Sequence, residues 1–397
     1  MAELNETPRG NRIHIAFFGL RNAGKSTLVN AFTGQQIAIV SDVPGTTTDP
    51  VSKTMEILPL GPCLVTDTAG LDDEGELGKM RVEKTLKVLE TTDIAVWVEG
   101  KEKGEGRKEK VSKDTFLESC CKRGVVVIEY KRGDSVEELK KRIAAVKIEE
   151  RMPGLLDGLV KKGDRVLCVV PIDESAPKGR LILPQQQVIR ECLNRHVICT
   201  VCQVDGLGCL ESLGGLGGFN LVSTDSQAFG EVNRLFQTFQ TSKPSKHPKL
   251  TSFSILFARQ KGDLQEFVKG LKAIGSLKDG DTVLVAEGCT HHRQCNDIGT
   301  VKIPKALEKL SGKKLKFEFA SGGGFLESCA SLTSDEDVAS PLAMVVHCGG
   351  CMLTRKEMLR RIARTKEAGV PIVNYGLVLA MANGVGLESL EGLGGLE

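Results

Sequence analysis

The run Gly19-Leu-Arg-Asn-Ala-Gly24-Lys25-Ser26 constrains this chain more than any other feature. It fits G-x-x-x-x-G-K-S at every position and lies between an apolar stretch that reads as a strand (13–19) and one with helical spacing (25–32). A strand, this loop and a helix form the setting in which the pattern binds phosphate. The glycines let backbone N–H groups wrap the phosphates, Lys25 brings a point charge for the β- and γ-phosphates, and Ser26 brings a hydroxyl for Mg²⁺. The helix N-terminus adds its dipole. Gly19, Asn22, Ala23, Gly24, Lys25, Ser26 and Thr27 are therefore the candidate nucleotide-binding positions.

Downstream segments extend the site. Asp67-Thr-Ala-Gly70 closes an expected strand (63–67), which suits an Asp on the Mg²⁺ side and a Gly that senses the γ-phosphate. Gly45-Thr-Thr-Thr-Asp49 lies between the two segments, so Thr47, with Thr46 next, is the candidate for the metal-side hydroxyl. Lys25, Thr47, Asp67 and Gly70 are the candidate catalytic set. This order is that of small translation-factor-type GTPases. The sequence DTAGL resembles their potassium-stimulated subgroup, in which a loop Asn helps to hold K⁺; Asn22 stands at that position. Leu71 occupies the place of a water-orienting Gln, so hydrolysis is expected to be slow unless K⁺ or a partner assists. After the strand expected at 125–130 comes Lys131-Arg-Gly-Asp134 instead of N-K-x-D. Asp134 can still accept from guanine, and the Arg132 guanidinium can stack on a base where a Lys stem usually lies. The competing reading is that Asp134 only ends a turn.

Composition narrows the class. Of 397 residues, 41% are hydrophobic and 26% charged, the balance of a folded globular chain. Net charge is +2 and aromatics are 4%, so neither a basic nucleic-acid surface nor a base-stacking platform is expected. The first twelve residues are polar and the apolar run after them is short, which predicts no secretory leader and no membrane span. Residues 370–387 lack charge, but their Pro, Gly and Asn read as a buried strand, a turn and a short helix. The expected location is cytoplasmic, where 13 cysteines are thiols or metal ligands rather than a disulfide framework.

Strand and helix signals alternate along the chain, predicting an α/β protein with mostly parallel sheets. Strands are expected at 94–99, 165–172, 197–204, 220–225, 250–258, 282–287, 315–319, 342–347 and 370–373. Helices are expected at 135–146, 185–194, 229–240, 304–310 and 354–367. Boundaries near 165 and 266 divide the chain into 1–164, 165–265 and 266–397.

Cys289-Thr-His291-His292 follows one expected strand and His347-Cys348-Gly-Gly-Cys351 follows another. Ligands of open α/β sheets bind outside the carboxyl ends of strands, where both segments fall. The paired glycines let both thiolates face one point. The next helix opens with Thr354-Arg-Lys-Glu357, a capping box whose positive end favours thiolates. Cys289, Cys348 and Cys351 can hold three corners of a [4Fe–4S] cluster, leaving the fourth iron to His291, His347, water or an incoming ligand. The same residues also suit a Cys₃His zinc site. The C-x-x-C at Cys199–Cys202 lies inside a strand, its side chains on opposite faces, and reads as core. Cys63, Cys120, Cys121, Cys168, Cys192, Cys209 and Cys329 are expected to be packing residues.

Taken together, the chain resembles the [FeFe]-hydrogenase maturation GTPases, the HydF family. The likeness is carried by the GTPase motifs and by PIDESAPKGRLILPQ (171–185), TDSQAF (224–229), TSFSILFARQKGDL (251–264), CTHH (289–292), DIGTVKIP (297–304), HCGGCM (347–352) and VPIVNYG (370–376). The resemblance implies three α/β domains: a P-loop GTPase (1–164), a parallel-sheet dimerisation domain (165–265) and an Fe–S cluster-binding domain (266–397). It implies GTP, Mg²⁺, K⁺ and a [4Fe–4S] cluster as cofactors. It also implies a homodimeric scaffold that receives a diiron precursor from radical-SAM maturases and delivers it to apo-[FeFe]-hydrogenase. The chain departs from the family at KRGD and lacks a recognisable final base-binding motif. Two other classes compete: a ribosome- or tRNA-acting GTPase, which requires a basic appendage, and a zinc-binding adaptor with a vestigial nucleotide site.

Overall fold

The computed structural model describes residues 7–34, 50–72, 75–100, 113–147, 152–172, 181–213, 215–226, 228–242, 248–288, 297–322, 325 and 342–393. The chain divides into two compact units, Met1–Arg151 and Met152–Glu397.

The first unit contains β1 (Ile13–Phe18), α1 (Lys25–Thr33), β2 (Val51–Ile57), β3 (Gly61–Asp67), α2 (Gly75–Thr91), β4 (Ile94–Glu99), α3 (Lys113–Lys122), β5 (Val126–Lys131) and α4 (Val136–Ala144). Its sheet has the order β2-β3-β1-β4-β5, parallel except for β2, which runs antiparallel to β3. Helices cover both faces, so the inner strands are apolar on both sides. In β1, Ile15 and Phe17 enter one core while Ala16 and Phe18 enter the other; Val96 and Trp97 divide in the same way in β4. This alternation is why β1 and β4 read as continuous apolar runs. β2 gives no such signal, because it lies at the sheet edge and most of it is exposed. The helices α2 and α3 also escaped the sequence reading.

The second unit holds two four-stranded parallel sheets around one continuous core. The first sheet, with its helices, comprises β6 (Arg165–Val169), α5 (Leu183–Asn194), β7 (Ile198–Cys202), β8 (Leu221–Thr224), α6 (Phe229–Ser242) and β9 (Lys249–Ser252), in strand order β7-β6-β8-β9. After α7 (Phe253–Lys261) and α8 (Leu264–Ala273) comes the second: β10 (Thr282–Glu287), α9 (Ile303–Ser311), β11 (Lys316–Ser321), β12 (Leu342–His347), α10 (Arg355–Glu367), β13 (Ile372–Asn374), α11 (Tyr375–Ala382) and α12 (Leu387–Glu391). Its strand order is β11-β10-β12-β13. The uncharged stretch at 370–387 contains a strand and a short helix as expected, but the strand runs directly into the helix and the turn follows it at 383–384. Leu155, Leu156 and Leu159 pack in the second unit's core, although sequence boundaries placed them with the first 164 residues.

The expected strand at 250–258 is corrected. The strand ends at Ser252, whose side chain accepts the Ile255 N–H at 3.2 Å and caps α7. Nearly every residue of α7 is buried, Arg259 and Lys261 included. A helix covered all round has no polar face, so its 3.6-residue period is invisible and the run passes for a buried strand. Buried Arg259 donates to the carbonyls of Leu393, Leu155 and Asp157, tying both ends of the second unit to this helix.

Candidate functional site

In the first unit, the loop from β1 to α1 takes the backbone shape that its sequence predicts. Asn22 (φ 62°) and Gly24 (φ 92°) are left-handed. A Cβ on Gly19 would meet the Val98 carbonyl oxygen at 2.5 Å, so only glycine fits there. Ala23 is buried, and Thr27 is in the first turn of α1. Lys25 is buried, and its Nζ donates to the carbonyls of Gly19 (3.1 Å) and Leu20 (2.7 Å). The lysine therefore lies folded over its own loop, at the place where phosphate oxygens would offer better acceptors.

The Ser26 hydroxyl donates to Asp67 Oδ2 at 2.6 Å. Asp67 is fully buried, and its Oδ1 has no hydrogen-bond partner among the described residues. Burial raises the pKa of the carboxyl above the usual range, and Ser26 and Lys25 oppose that rise. An orphaned carboxylate oxygen beside the P-loop hydroxyl has the donor chemistry of a Mg²⁺ site, so these residues fit the ion. Gly70 packs against the loop: a Cβ there would meet the Arg21 backbone N at 2.8 Å. Asp72, which the sequence reading missed, accepts from the Arg21 N–H at 2.5 Å and ties the DxxG segment to the loop. Its signal was available, an acidic residue just after the DxxG glycine. Thr46 and Thr47 lie outside the described residues.

Asp134 follows β5 on a turn in which Gly133 has φ 107°. Its Oδ2 accepts from the Lys131 N–H at 2.9 Å, and the Tyr130 hydroxyl donates to its backbone carbonyl at 2.9 Å. The carboxylate thus stabilises its own turn while remaining exposed.

In the second unit, the two chemistry-bearing segments converge. β10 and β12 are adjacent and parallel, with Ala286 paired to His347. The chain leaves β10 toward β11 on one side and returns as β12 on the other. Their carboxyl ends therefore flank a topological switch point, where such sheets bind ligands. The Cys348 sulfur accepts the backbone N–H groups of Gly288 (3.2 Å) and Gly350 (3.4 Å). Gly288 directly precedes Cys289, so that hydrogen bond ties the strand end bearing Cys289 to the Cys348 loop. Gly350 is left-handed (φ 65°), and a Cβ on it would run into Met358 Cε. Burial raises the Cys351 thiol, and nearby Lys261 opposes the rise. Cys289 and His291 lie outside the described residues. Among the described residues, no group of three or more His, Cys, Asp or Glu side chains is gathered for a metal ion.

Two buried cations brace this loop, and neither was singled out from sequence. Lys261, fully buried at the end of α7, donates to the carbonyls of Cys351 (2.9 Å) and Leu353 (2.6 Å). Burial lowers its pKa to about 8, and nearby Cys351, Cys348 and Glu357 oppose the fall. Arg361 on α10 donates to His347 Nε2 at 3.0 Å, to the Gly322 carbonyl at 2.9 Å and to Glu357 at 2.7 Å. It also lies over the Phe325 ring. Thr354 caps α10 as read, accepting the Glu357 N–H at 3.2 Å, while the Glu357 carboxylate is directed to Arg361.

His347 is completely buried with both ring nitrogens engaged. Arginine can only donate, so Nε2 is the acceptor and Nδ1–H donates to the Cys348 carbonyl at 2.8 Å. Burial, then the Arg361 charge, lower its pKa to about 3. Of the cysteines expected to pack, Cys63, Cys120, Cys168 and Cys192 are buried, but Cys121 and Cys209 are exposed. Cys329 lies outside the described residues. No helix among the described residues is long and apolar enough to cross a membrane.

Comparison with known proteins follows this architecture. A family model for the hydrogen maturase F dimerization domain matches residues 155–262, and one for its tetramerization domain matches 265–391. A model described as 50S ribosome-binding GTPase matches residues 14–147. Among curated relatives, GTPase Der of Wolinella succinogenes is 41% identical over 99 residues, 24% of this chain and 20% of the relative. The tRNA modification GTPase MnmE of Bacteroides thetaiotaomicron is 29% identical over 132 residues, 33% of this chain and 28% of the relative. The chain thus spans 20% to 28% of the length of these two relatives. Among solved structures, a variant of Aquifex aeolicus Era bound to GDP.AlF4- aligns at 16% identity with a TM-score of 0.26, covering 79% of this chain and 94% of that one.

Proposed function

This chain belongs to the hydrogen maturase F family and contains a P-loop GTPase domain, and on that premise we propose that it is a GTP-hydrolysing scaffold carrying a [4Fe–4S] cluster. In this reading it receives a diiron precursor from radical-SAM maturases and delivers it to apo-[FeFe]-hydrogenase. Cys289, Cys348 and Cys351 hold three corners of the cluster, whose iron supplies a site for a bridging ligand. The fit of the residues present rests on one observation: Cys348 accepts two backbone N–H groups, one of them from the residue before Cys289. Such bonds stabilise a thiolate and orient it. His347 positions this loop through Arg361, and the fourth iron falls to His291 or an exogenous ligand.

In the first unit, Lys25 holds the β- and γ-phosphates, while Ser26, Asp67 and Thr47 hold Mg²⁺. Gly70 senses the γ-phosphate, and Asp134 accepts from guanine. Asn22, held in a left-handed conformation, helps to hold K⁺. The work divides as 1–164 for GTP, 165–265 for homodimerisation and 266–397 for the cluster, in the cytoplasm and without nucleic acid. Ile198 and Val201 of the edge strand β7 are both exposed, one on each face of the strand, apolar surface that a second copy would cover.

The test is anaerobic reconstitution followed by iron and sulfide analysis and EPR. We expect brown protein with a reducible signal, and serine at Cys289, Cys348 or Cys351 should strip most of the iron. Colourless protein with stoichiometric zinc would establish the adaptor instead. GTP turnover in K⁺ should exceed that in Na⁺, and equal rates would remove the assignment of Asn22.

A further inference from the structure

Three thiols meet away from both sites, in the sheet of residues 165–252. Cys168 lies on the inner strand β6 and is fully buried; Cys192 lies on α5 and is fully buried; Cys199 lies on the edge strand β7 and is partly exposed. The parallel register pairs Val166 with Cys199, so Cys168 is the diagonal neighbour of Cys199 on the same sheet face. Their sulfurs are 3.8 Å apart. The connection from α5 to β7 is tight, with the Val197 N–H donating to the Cys192 carbonyl at 2.9 Å, and it places the Cys192 thiol close enough to Cys199 to influence its ionisation. All ten described cysteines are thiols.

Either sulfur of the Cys168–Cys199 pair can donate; when the partly exposed Cys199 is the acceptor, S–H groups directed at it stabilise it as a thiolate. These bonds lower the Cys199 pKa below that of an ordinary thiol. They raise those of Cys168 and Cys192, and burial adds to the rise. Cys202, the other half of the C-x-x-C, has Asp205 and Cys209 as its charged neighbours and a pKa raised by burial. The functional partners of Cys199 thus come from β6 and α5, and the sequence pair is incidental.

We propose that Cys199, Cys168 and Cys192 form a thiol–disulfide site, in which Cys199 is the nucleophile and Cys168, with Cys192 as the alternative, is the resolving thiol. The co-reactant is a low-molecular-weight disulfide. The Cys199 thiolate attacks one of its sulfurs, forming a mixed disulfide and releasing one small thiolate. The Cys168 sulfur then attacks Cys199 and displaces the second small thiolate, which takes the Cys168 proton and leaves as a thiol. Two protein thiols are oxidised and one small disulfide is reduced to two thiols. Closing the sulfurs from 3.8 Å to a bond of about 2.05 Å requires a small shift. Strand β7 can supply it, because among the described residues of one chain it is hydrogen-bonded to β6 alone. The product pins the edge strand to the interior of the sheet.

The experiment uses the full chain, kept anaerobic. At pH 6 a limiting alkylating agent should label Cys199 at least tenfold faster than the exposed Cys209, as read by peptide mass spectrometry. Incubation with oxidised glutathione, alkylation and non-reducing digestion should then yield a peptide linked through Cys199–Cys168 or Cys199–Cys192. Cys168→Ser should shift the link to Cys192. Cys199→Ser should abolish both links while leaving iron content and GTP turnover unchanged. Labelling of Cys199 no faster than Cys209, a Cys199–Cys202 link, or a link between two chains in place of the internal one would each overturn the proposal. The wild-type measurements stand by themselves if a variant folds poorly.

Discussion

Lys25 and Lys261 are both buried lysines that donate to two backbone carbonyls, yet they do opposite things. The carbonyls held by Lys25 belong to its own loop, five and six residues away; those held by Lys261 are 90 and 92 residues away. The first lysine folds back on a loop whose shape is already set by Asn22 and Gly24, and incoming phosphate oxygens can take over its bonds. The second is a permanent brace that joins α7 to the cysteine loop. A site for a transient anion is built locally with an exchangeable cation. The cysteine loop is instead held by long-range contacts from a buried lysine of another element.

That contrast breaks most directly at Lys25. Alanine there should lower GTP hydrolysis by about 10²–10³-fold, the scale of losing one preorganised charge on the reacting group. Iron content should stay at the wild-type level. Iron loss in this variant would show that the two sites are not separately built.

The next largest effect is expected at Lys261. Methionine fills the volume but leaves the Cys351 and Leu353 carbonyls unpaired, at about 2–4 kcal/mol for two buried acceptors. Urea unfolding followed by hydrogen exchange in β12 should register that loss, with GTP turnover unchanged. A loss below about 0.5 kcal/mol, within the range of ordinary surface substitutions, would mean that the loop keeps its shape without the brace.

His347 sharpens the same point through pH. Its folded-state pKa, about 3, lies below the ordinary 6.5, so the neutral ring is the folded form. The unfolded chain takes up a proton below 6.5 that the folded chain refuses, and stability falls with pH from there toward 3. Between pH 7 and pH 5 the apoprotein should lose about 2 kcal/mol that a His347→Gln variant does not. Parallel pH curves for the two proteins would show that Arg361 and burial do not hold the ring neutral.

The smallest effect is at Asp134. One of its oxygens already accepts the Lys131 N–H, so the remaining charge-assisted bonding to guanine is worth about 1.5 kcal/mol. Asp134→Ala should weaken GTP binding about tenfold and leave ATP unaffected, as read by calorimetry. Equal wild-type affinities for GTP and ATP would assign this carboxylate to its turn alone.

What the sequence determined by itself is what neighbouring residues can encode. The strands at Ile94–Glu99, Thr282–Glu287 and Leu342–His347 were legible to the residue because their patterns are local. The phosphate loop was legible because its glycines prescribe backbone angles. The cysteine segments could be placed at strand ends for the same reason. Only the tertiary structure decided that β10 and β12 are neighbours, that Lys261 and Arg361 brace the loop between them, and that Cys199 pairs with Cys168 across strands instead of with Cys202. It also decided that 253–261 is helix. A side chain 90 residues away leaves no trace in a local period, and a helix buried on every face leaves no period to read. Lys261 and Arg361 look like surface charges in the sequence, because what makes a charge interior is the set of carbonyls and carboxylates that folding brings to it.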